Sequence, residues 1–290
     1  QLDTYYRTPN PGFLTEDQRQ YLAPSGRIVI NASNDVTLGQ MKVKGREAEG
    51  EVDEVAKISI RSGRDIWLSQ DLLFDNNPTE ILQPGQESND GYTTLQLVAN
   101  NNIQLSGRIR REYPTTNADW RDHHDRLRIE LTADVDRSGE GDVVIGNSDQ
   151  TEIETVGGDF IIHNAVNVEL SGRTIDTRSL YGAGDFSITA TGNITLGNTP
   201  MFDGTEGELR SPALHLDATG SLTLGDNNVA TLGRDIFLAG SEIHFNNRSL
   251  STTDSGDITV ISSADLTLPE INSAGNLTIA ARDTEENSIG

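Results

Sequence analysis

Apolar and polar positions alternate most cleanly between residues 184 and 198, GDFSITATGNITLGN. Phe186, Ile188 and small Ala190 alternate with polar residues, and after three residues Ile194 and Leu196 alternate again. Period two puts every second side chain on one face, so the stretch predicts two short strands joined at a three-residue corner. Written as a template it is h-x-h-x-s-x-x-x-h-x-h, with h large and apolar and s small or uncharged.

The template returns without gaps at Ile28, Ile30, Ala32, Val36, Leu38, at Ile58, Ile60, Ser62, Ile66, Leu68, and at Leu95, Leu97, Ala99, Ile103, Leu105. It returns again at Phe160, Ile162, Asn164, Val168, Leu170, at Leu214, Leu216, Ala218, Leu222, Leu224, and at Ile258, Val260, Ser262, Leu266, Leu268. Three partial copies complete the series. Ile236, Leu238, Gly240, Ile243, Phe245 is one residue short at the corner, Ile129, Leu131, Ala133 runs into a longer loop, and Leu277, Ile279, Ala281 supplies a first strand only.

The ten first positions, 28, 58, 95, 129, 160, 186, 214, 236, 258 and 277, lie 30, 37, 34, 31, 26, 28, 22, 22 and 19 residues apart. A constant strand pair with variable connections is the signature of a solenoid, and strand-only repeats make it a β-solenoid. The fold class expected is therefore all-β, a single right-handed parallel β-helix of about ten coils. At ~4.8 Å per coil the shaft would be roughly 48 Å long.

Composition fits a thin rod. Apolar residues make up 34% of the 290 and aromatics 5%, and 28 glycines suit tight corners. Only TEDQRQYL (15 to 22) predicts a short helix, with Thr15 as N-cap and acidic residues in the first turn. The formal charge of −23, from 45 acidic against 22 basic residues, opposes binding to a nucleic-acid backbone and favours cations and polar surfaces as partners. With no cysteine there is neither a disulfide scaffold nor a thiolate metal site. No apolar run approaches membrane-spanning length, and Gln1 opens no signal peptide, so either a leader has been removed or the chain is a segment of something longer.

Three regions follow. Residues 1 to 25 carry Pro9, Pro11 and Pro24 and no period-two pattern, which predicts a cap or arm over the first coil, faced by Tyr5, Tyr6, Phe13 and Tyr21. Residues 26 to 284 form the β-helix, and 285 to 290 a polar tail. Long excursions at 72 to 91 and 107 to 125 leave the regular scaffold, where function usually sits. From Gly157 onward several units open with Gly and a polar residue, as at Gly158-Asp159, Gly184-Asp185, Gly256-Asp257 and Gly275-Asn276. Stacked at coil spacing, such Asp residues repel unless screened or bridged by cations.

The stretches 127 to 163, LRIELTADVDRSGEGDVVIGNSDQTEIETVGGDFIIH, then GDFSITATGNITLG, and 256 to 281, GDITVISSADLTLPEINSAGNLTIAA, resemble the shaft repeats of filamentous haemagglutinin-like exoproteins of Gram-negative bacteria and cyanobacteria. The resemblance covers most of residues 26 to 282. It implies a right-handed parallel β-helix, export across both membranes, often by two-partner secretion, and a role in adhesion or as a surface fibre. The secretion domain of that family carries an NPNG-type motif. Here Asn10, Pro11, Gly12 lacks the second Asn, so the chain resembles shaft and not secretion signal.

The strongest chemical candidate is DVDRSGEGD, where Asp134, Asp136, Ser138, Gly139, Glu140 and Asp142 take positions 1, 3, 5, 6, 7 and 9 of a calcium loop. The loop replaces the corner between Ala133 and Val143, so a hard cation held by Asp134, Asp136, Ser138, Glu140 and Asp142 would pin it. Position 12 is Ile145 and not the bidentate Glu, which sets the expected affinity in the weak range of extracellular modules.

WRDHHD (120 to 125) faintly resembles the W-x-D-H stretch of pectate lyases, themselves parallel β-helices. Adjacent His123 and His124 point to opposite sides of any strand, so a solvated turn with Trp120 laid on the rod is the simpler reading. His163, His215 and His244 fall on outward phases. No phosphate loop, nucleophile elbow or zinc spacing is present, and no catalytic residue is assigned. The function expected is structural: a secreted, extracellular or cell-surface fibre or adhesin segment associating end to end. The alternative is a polysaccharide-binding or polysaccharide-cleaving β-helix with loops 71 to 91 and 107 to 125 walling a groove.

Overall fold

The computed structural model describes residues 27–44, 57–75, 93–111, 127–146, 152–155, 157–171, 174–178, 184–197, 200–201, 212–225, 229–246 and 249–281. The expected cap at 1 to 25, helix at 15 to 22, cluster at 120 to 125 and tail at 285 to 290 lie outside them.

Every paired strand runs parallel to its neighbour one coil away, as in a parallel β-helix. The first sheet has ten strands, Arg27–Ala32, Lys57–Ser62, Thr93–Ala99, Leu127–Thr132, Phe160–Ala165, Asp185–Ala190, Ala213–Ala218, Ile236–Gly240, Ile258–Ser262 and Leu277–Ala281, in chain order across the sheet. A second sheet of eight strands runs from Val36–Leu38 to Glu242–Phe245. These are the template's two strands. A third sheet of six strands, Met41–Lys44, Leu72–Asp75, Ile109–Arg111, Glu152–Glu154, Thr174–Asp176 and Pro200–Met201, closes the coil. Later coils close with a three-stranded sheet, Val229–Leu232, Leu250–Thr253 and Ile271–Asn272.

Inward template positions form the core. Ile58, Leu95, Ile129, Phe160, Phe186 and Leu214 stack in register and are buried, and the rings of Phe160 and Phe186 lie 4.9 Å apart. Each buried aliphatic or aromatic side chain contributes roughly 1.5–3 kcal/mol, so the rod is held by continuous columns and not by one central cluster. At the returning corners a buried threonine hydroxyl donates to a carbonyl three or four residues on, Thr155 to Gly158 at 2.8 Å and Thr252 to Gly256 at 2.6 Å. The chain then turns through a left-handed residue, Gly157, Gly233 or Asp254.

Two template assignments change. Asn164 is exposed with φ +56°, and Ala165 takes the small inward position, paired with Ala190 across a register shift. A bulge there absorbs one residue, which a gapless template cannot represent. Leu266 and Leu268 form no strand, and Leu268 is 39% exposed, so the ninth coil keeps its first and third strands without the second.

Candidate functional site

The corner between the first two sheets is built on a side-chain ladder. The residue just before each second strand is Asp35, Asp65, Asn102, Asp142, Asn167, Asn193 and, at the head of its strand, Ser221 in seven successive coils. Each backbone N–H donates to the side-chain oxygen of the residue one coil earlier, at 3.3, 2.9, 2.9, 3.0, 3.0 and 2.8 Å in order. These oxygens satisfy backbone donors at a corner. From Asp65 to Asn167 acids and amides alternate, so a donor separates like charges. The stacked pair Asp35 and Asp65 is met by Arg64, 3.5 Å from Asp35.

A second ladder stands at the start of the first sheet. Asp185 donates its N–H to Asp159 at 2.9 Å, Asp257 to Asp235 at 2.8 Å, and Asn276 to Asp257 at 2.7 Å. The repulsion expected of the stacked Asp159 and Asp185 is met by arginines: Arg128 is 3.7 Å from Asp159 and Arg234 is 2.8 Å from Asp185. In the first coils the same position is Arg27, Lys57, Thr94 and Arg128. The rod is therefore asymmetric in charge, with 13 basic and 16 acidic residues over 27–128 but 6 and 23 over 129–281.

In the expanded corner, Asp134 is buried and its Oδ1 accepts from Ser138 Oγ at 3.3 Å and Gly139 N–H at 3.1 Å. Asp136 Oδ1 accepts from the Ser138 N–H at 3.2 Å. Arg137 (φ +55°) and Gly139 (φ +81°) turn the chain back, and a Cβ on Gly141 would fall 2.4 Å from the Asp134 nitrogen, so the loop closes tightly on itself. The structure thus brings Asp134, Asp136 and Ser138 together. Glu140 is exposed, and Asp142 is committed to the ladder, where its Oδ1 accepts both the N–H and the side-chain amide of Asn167 at 3.0 Å. Among the described residues no three His, Asp or Glu side chains converge as metal ligands.

The third sheet carries a charged rung that the alternation pattern did not single out. Arg108 donates to Asp71 from its N–H at 3.1 Å and from Nε at 2.9 Å, and this hydrogen-bonded guanidinium holds the Asp71 carboxyl below its usual range. Arg178, buried, grips Asp176 through Nε and Nη2 at 3.0 Å. Between them lie Glu152 and Glu154 on one strand, with Arg110 3.8 Å from Glu152. Burial first, then the Glu152 charge, pushes Glu154 up to about 7 against the opposing pull of Arg110. The only advance sign in the sequence is EIE: two acids flanking one inward isoleucine.

His163, His215 and His244 are exposed, as their phase predicts. His215 stacks on Phe237 one coil away, ring centroids 4.5 Å apart. No helix among the described residues is long and apolar enough to cross a membrane. Comparisons with protein-family models, curated proteins and solved structures find no match to this chain.

Proposed function

We propose that this chain is a shaft segment of a secreted, extracellular or cell-surface fibre or adhesin, structural and without enzymatic activity, that associates end to end into filaments. The observation that carries this reading is the uninterrupted ten-strand parallel sheet with polar ladders at its corners. A rod of this kind transmits length and presents surface, and its chemistry is spent on stacking. The bacterial haemagglutinin-like resemblance belongs to the same reading. The last first-sheet strand supports end-to-end contact, since Leu277 and Ile279 are exposed and its backbone edge resembles the one each earlier coil offers to the next. Electron microscopy of the purified full chain tests both parts. Rods that lengthen with concentration support the proposal, and a compact monomer at every concentration removes it.

Calcium in the 134–142 loop is a narrower proposal, supported by the alternating oxygens and by the approach of Asp134, Asp136 and Ser138. Millimolar calcium should then raise the melting temperature of wild type and not of Asp136→Ala. Identical melts retire the site.

The charged rung favours a second reading, a polysaccharide-binding or polysaccharide-cleaving rod, because Glu152, Glu154 and Arg110 share the sheet from which the excursions after Asp75 and Arg111 depart. Release of new reducing or unsaturated ends from acidic polysaccharides would reverse the order of the two.

A further inference from the structure

We propose that two copies of this chain pair side by side, with their coils in opposite order, through the outward face of the first sheet. The two-fold axis lies along the fifth strand, Phe160–Ala165. Such pairing is independent of end-to-end growth, because a lateral contact of this kind closes at two chains and a filament does not close.

The observation that carries it is the order of charge along one row of the sheet. The residue just before the first inward position is Arg27, Lys57, Thr94 and Arg128 in the first four coils, and Asp159 in the fifth. In the next four coils it is Asp185, Ala213, Asp235 and Asp257. Outward from Asp159, each basic residue has an acid at the same distance on the other side. Arg128 answers Asp185, Lys57 answers Asp235 and Arg27 answers Asp257, while uncharged Thr94 answers uncharged Ala213. A two-fold axis along the fifth strand reverses coil order and keeps strand direction, so the row meets itself end for end. Each opposite-charge pair then occurs twice, as an isologous contact requires. Shifting the axis by half a coil either way leaves fewer such pairs.

Within one chain Arg128 already lies 3.7 Å from Asp159 and Arg234 2.8 Å from Asp185, so the middle of the row carries little net charge. Its outer parts differ. Lys57 and Asp235 are exposed, and among the described residues neither they nor Asp257 forms an ion pair. A second copy supplies the counter-charge from its own far end. On the axis the outward side chain is Ile161, half-buried, which meets its own copy as the apolar centre of the contact. Along that row Glu130 opposes Ser187 and Ser59 opposes Phe237, with no like charges set together. Side-chain ladders of the kind seen here keep a many-stranded sheet flat, so that one row can face another along its length. Nine strands at ~4.8 Å and about six residues at ~3.3 Å give a face of roughly 43 by 20 Å. That is close to the ~800 Å² per partner buried in a stable dimer.

Sedimentation of the full 290-residue chain should show a species of twice the chain mass that weakens as salt is raised. Lys57→Glu opposes a carboxylate to Asp235 at both symmetric contacts and should weaken association roughly tenfold, and adding Asp235→Lys should restore most of the loss. Because the chain has no cysteine, one introduced thiol reports its position cleanly. A short bismaleimide should link Ile161→Cys chains into dimers across the axis and leave Thr195→Cys chains, exposed on the second sheet, single. This linking decides the matter if the charge-swapped protein does not fold. Where rods also lengthen, micrographs should show two abreast for wild type and one for Lys57→Glu. Monomers at every concentration, rods of single width, no rescue by the swap, or equal linking of the two thiol variants would overturn the pairing.

Discussion

Asn102 stands one coil after Asp65 and donates to the same carboxylate oxygen twice, from its backbone N–H at 2.9 Å and from its side-chain amide at 3.1 Å. Asn167 repeats the arrangement on Asp142, both donors at 3.0 Å, and its own oxygen accepts the Asn193 N–H at 3.0 Å. An amide between two ladder positions gives and receives at once, which a carboxylate cannot do when ionised.

Asn167→Ala should therefore cost about 1–3 kcal/mol, because the Asn193 N–H loses its side-chain acceptor and Asp142 loses a donor. Asn167→Asp keeps the acceptor but places a second carboxylate beside Asp142. Its destabilisation should be largest near neutral pH and shrink in acid as one of the two carboxylates is protonated. Urea titrations at both pH values check this, and amide exchange should place the damage mainly in coils 127–197. Equal destabilisation at both pH values would show that the ladder tolerates adjacent charges.

The first and second sheets were legible because their strands offer two or three inward side chains in strict alternation, as Phe186, Ile188 and Ala190 do, followed by Ile194 and Leu196. The third sheet was not. Its middle strands bury a single inward residue, Ile109, Ile153 or Ile175, and one apolar residue makes no period. The ladder was visible but unread: an Asp or Asn stands one place before Val36, Ile66, Ile103, Val143, Val168 and Ile194, inside corner positions the template left free. For the expanded corner the sequence pattern pointed to five oxygen ligands, yet ladder register outranks loop spacing at Asp142, whose carboxylate turns to Asn167.

Asn164 adopts φ +56° at the bulge, where side chains branched at Cβ are strained. Asn164→Gly should be nearly neutral, while Asn164→Val should cost on the order of 1–3 kcal/mol although the side chain is exposed and packs against nothing in the core. Thermal melts of the two variants separate backbone strain from side-chain contacts. A Val variant as stable as wild type would remove the left-handed bulge.

Asp71 is held below its usual carboxyl range by the Arg108 hydrogen bond, so the stability this pair contributes is present above the unfolded value of 3.8 and is lost as pH falls through the lower folded value. Arg108→Gln should return Asp71 toward ordinary titration. Its destabilisation, on the order of 1 kcal/mol for a partly exposed pair, should appear near neutral pH and vanish in strong acid. A difference that persists unchanged at low pH would assign Arg108 a packing role instead.

Ala213 breaks the ladder of the first sheet, lying in register with Asp185 and one coil before Asp235, where no side-chain oxygen is available to receive the next N–H. Arg234 fills the gap from the coil beyond, its Nη2 donating to Asp185 Oδ1 at 2.8 Å across 49 residues of chain. Ala213→Asn should restore both functions of a ladder amide, a donor for Asp185 and an acceptor for the Asp235 N–H, and stabilise the rod by about 0.5–1.5 kcal/mol. Ala213→Asp supplies only the acceptor and adds a charge between Asp185 and Asp235. At ~4.8 Å in a solvated corner each such contact costs about 1 kcal/mol, so the aspartate variant should be less stable than the asparagine one and gain in acid. Because the introduced amide and the guanidinium compete for one carboxylate, Arg234→Gln should destabilise the Ala213→Asn protein less than it destabilises wild type. A double-mutant cycle measured by denaturant unfolding reads that coupling directly, and strict additivity would show that Arg234 and the ladder position act independently.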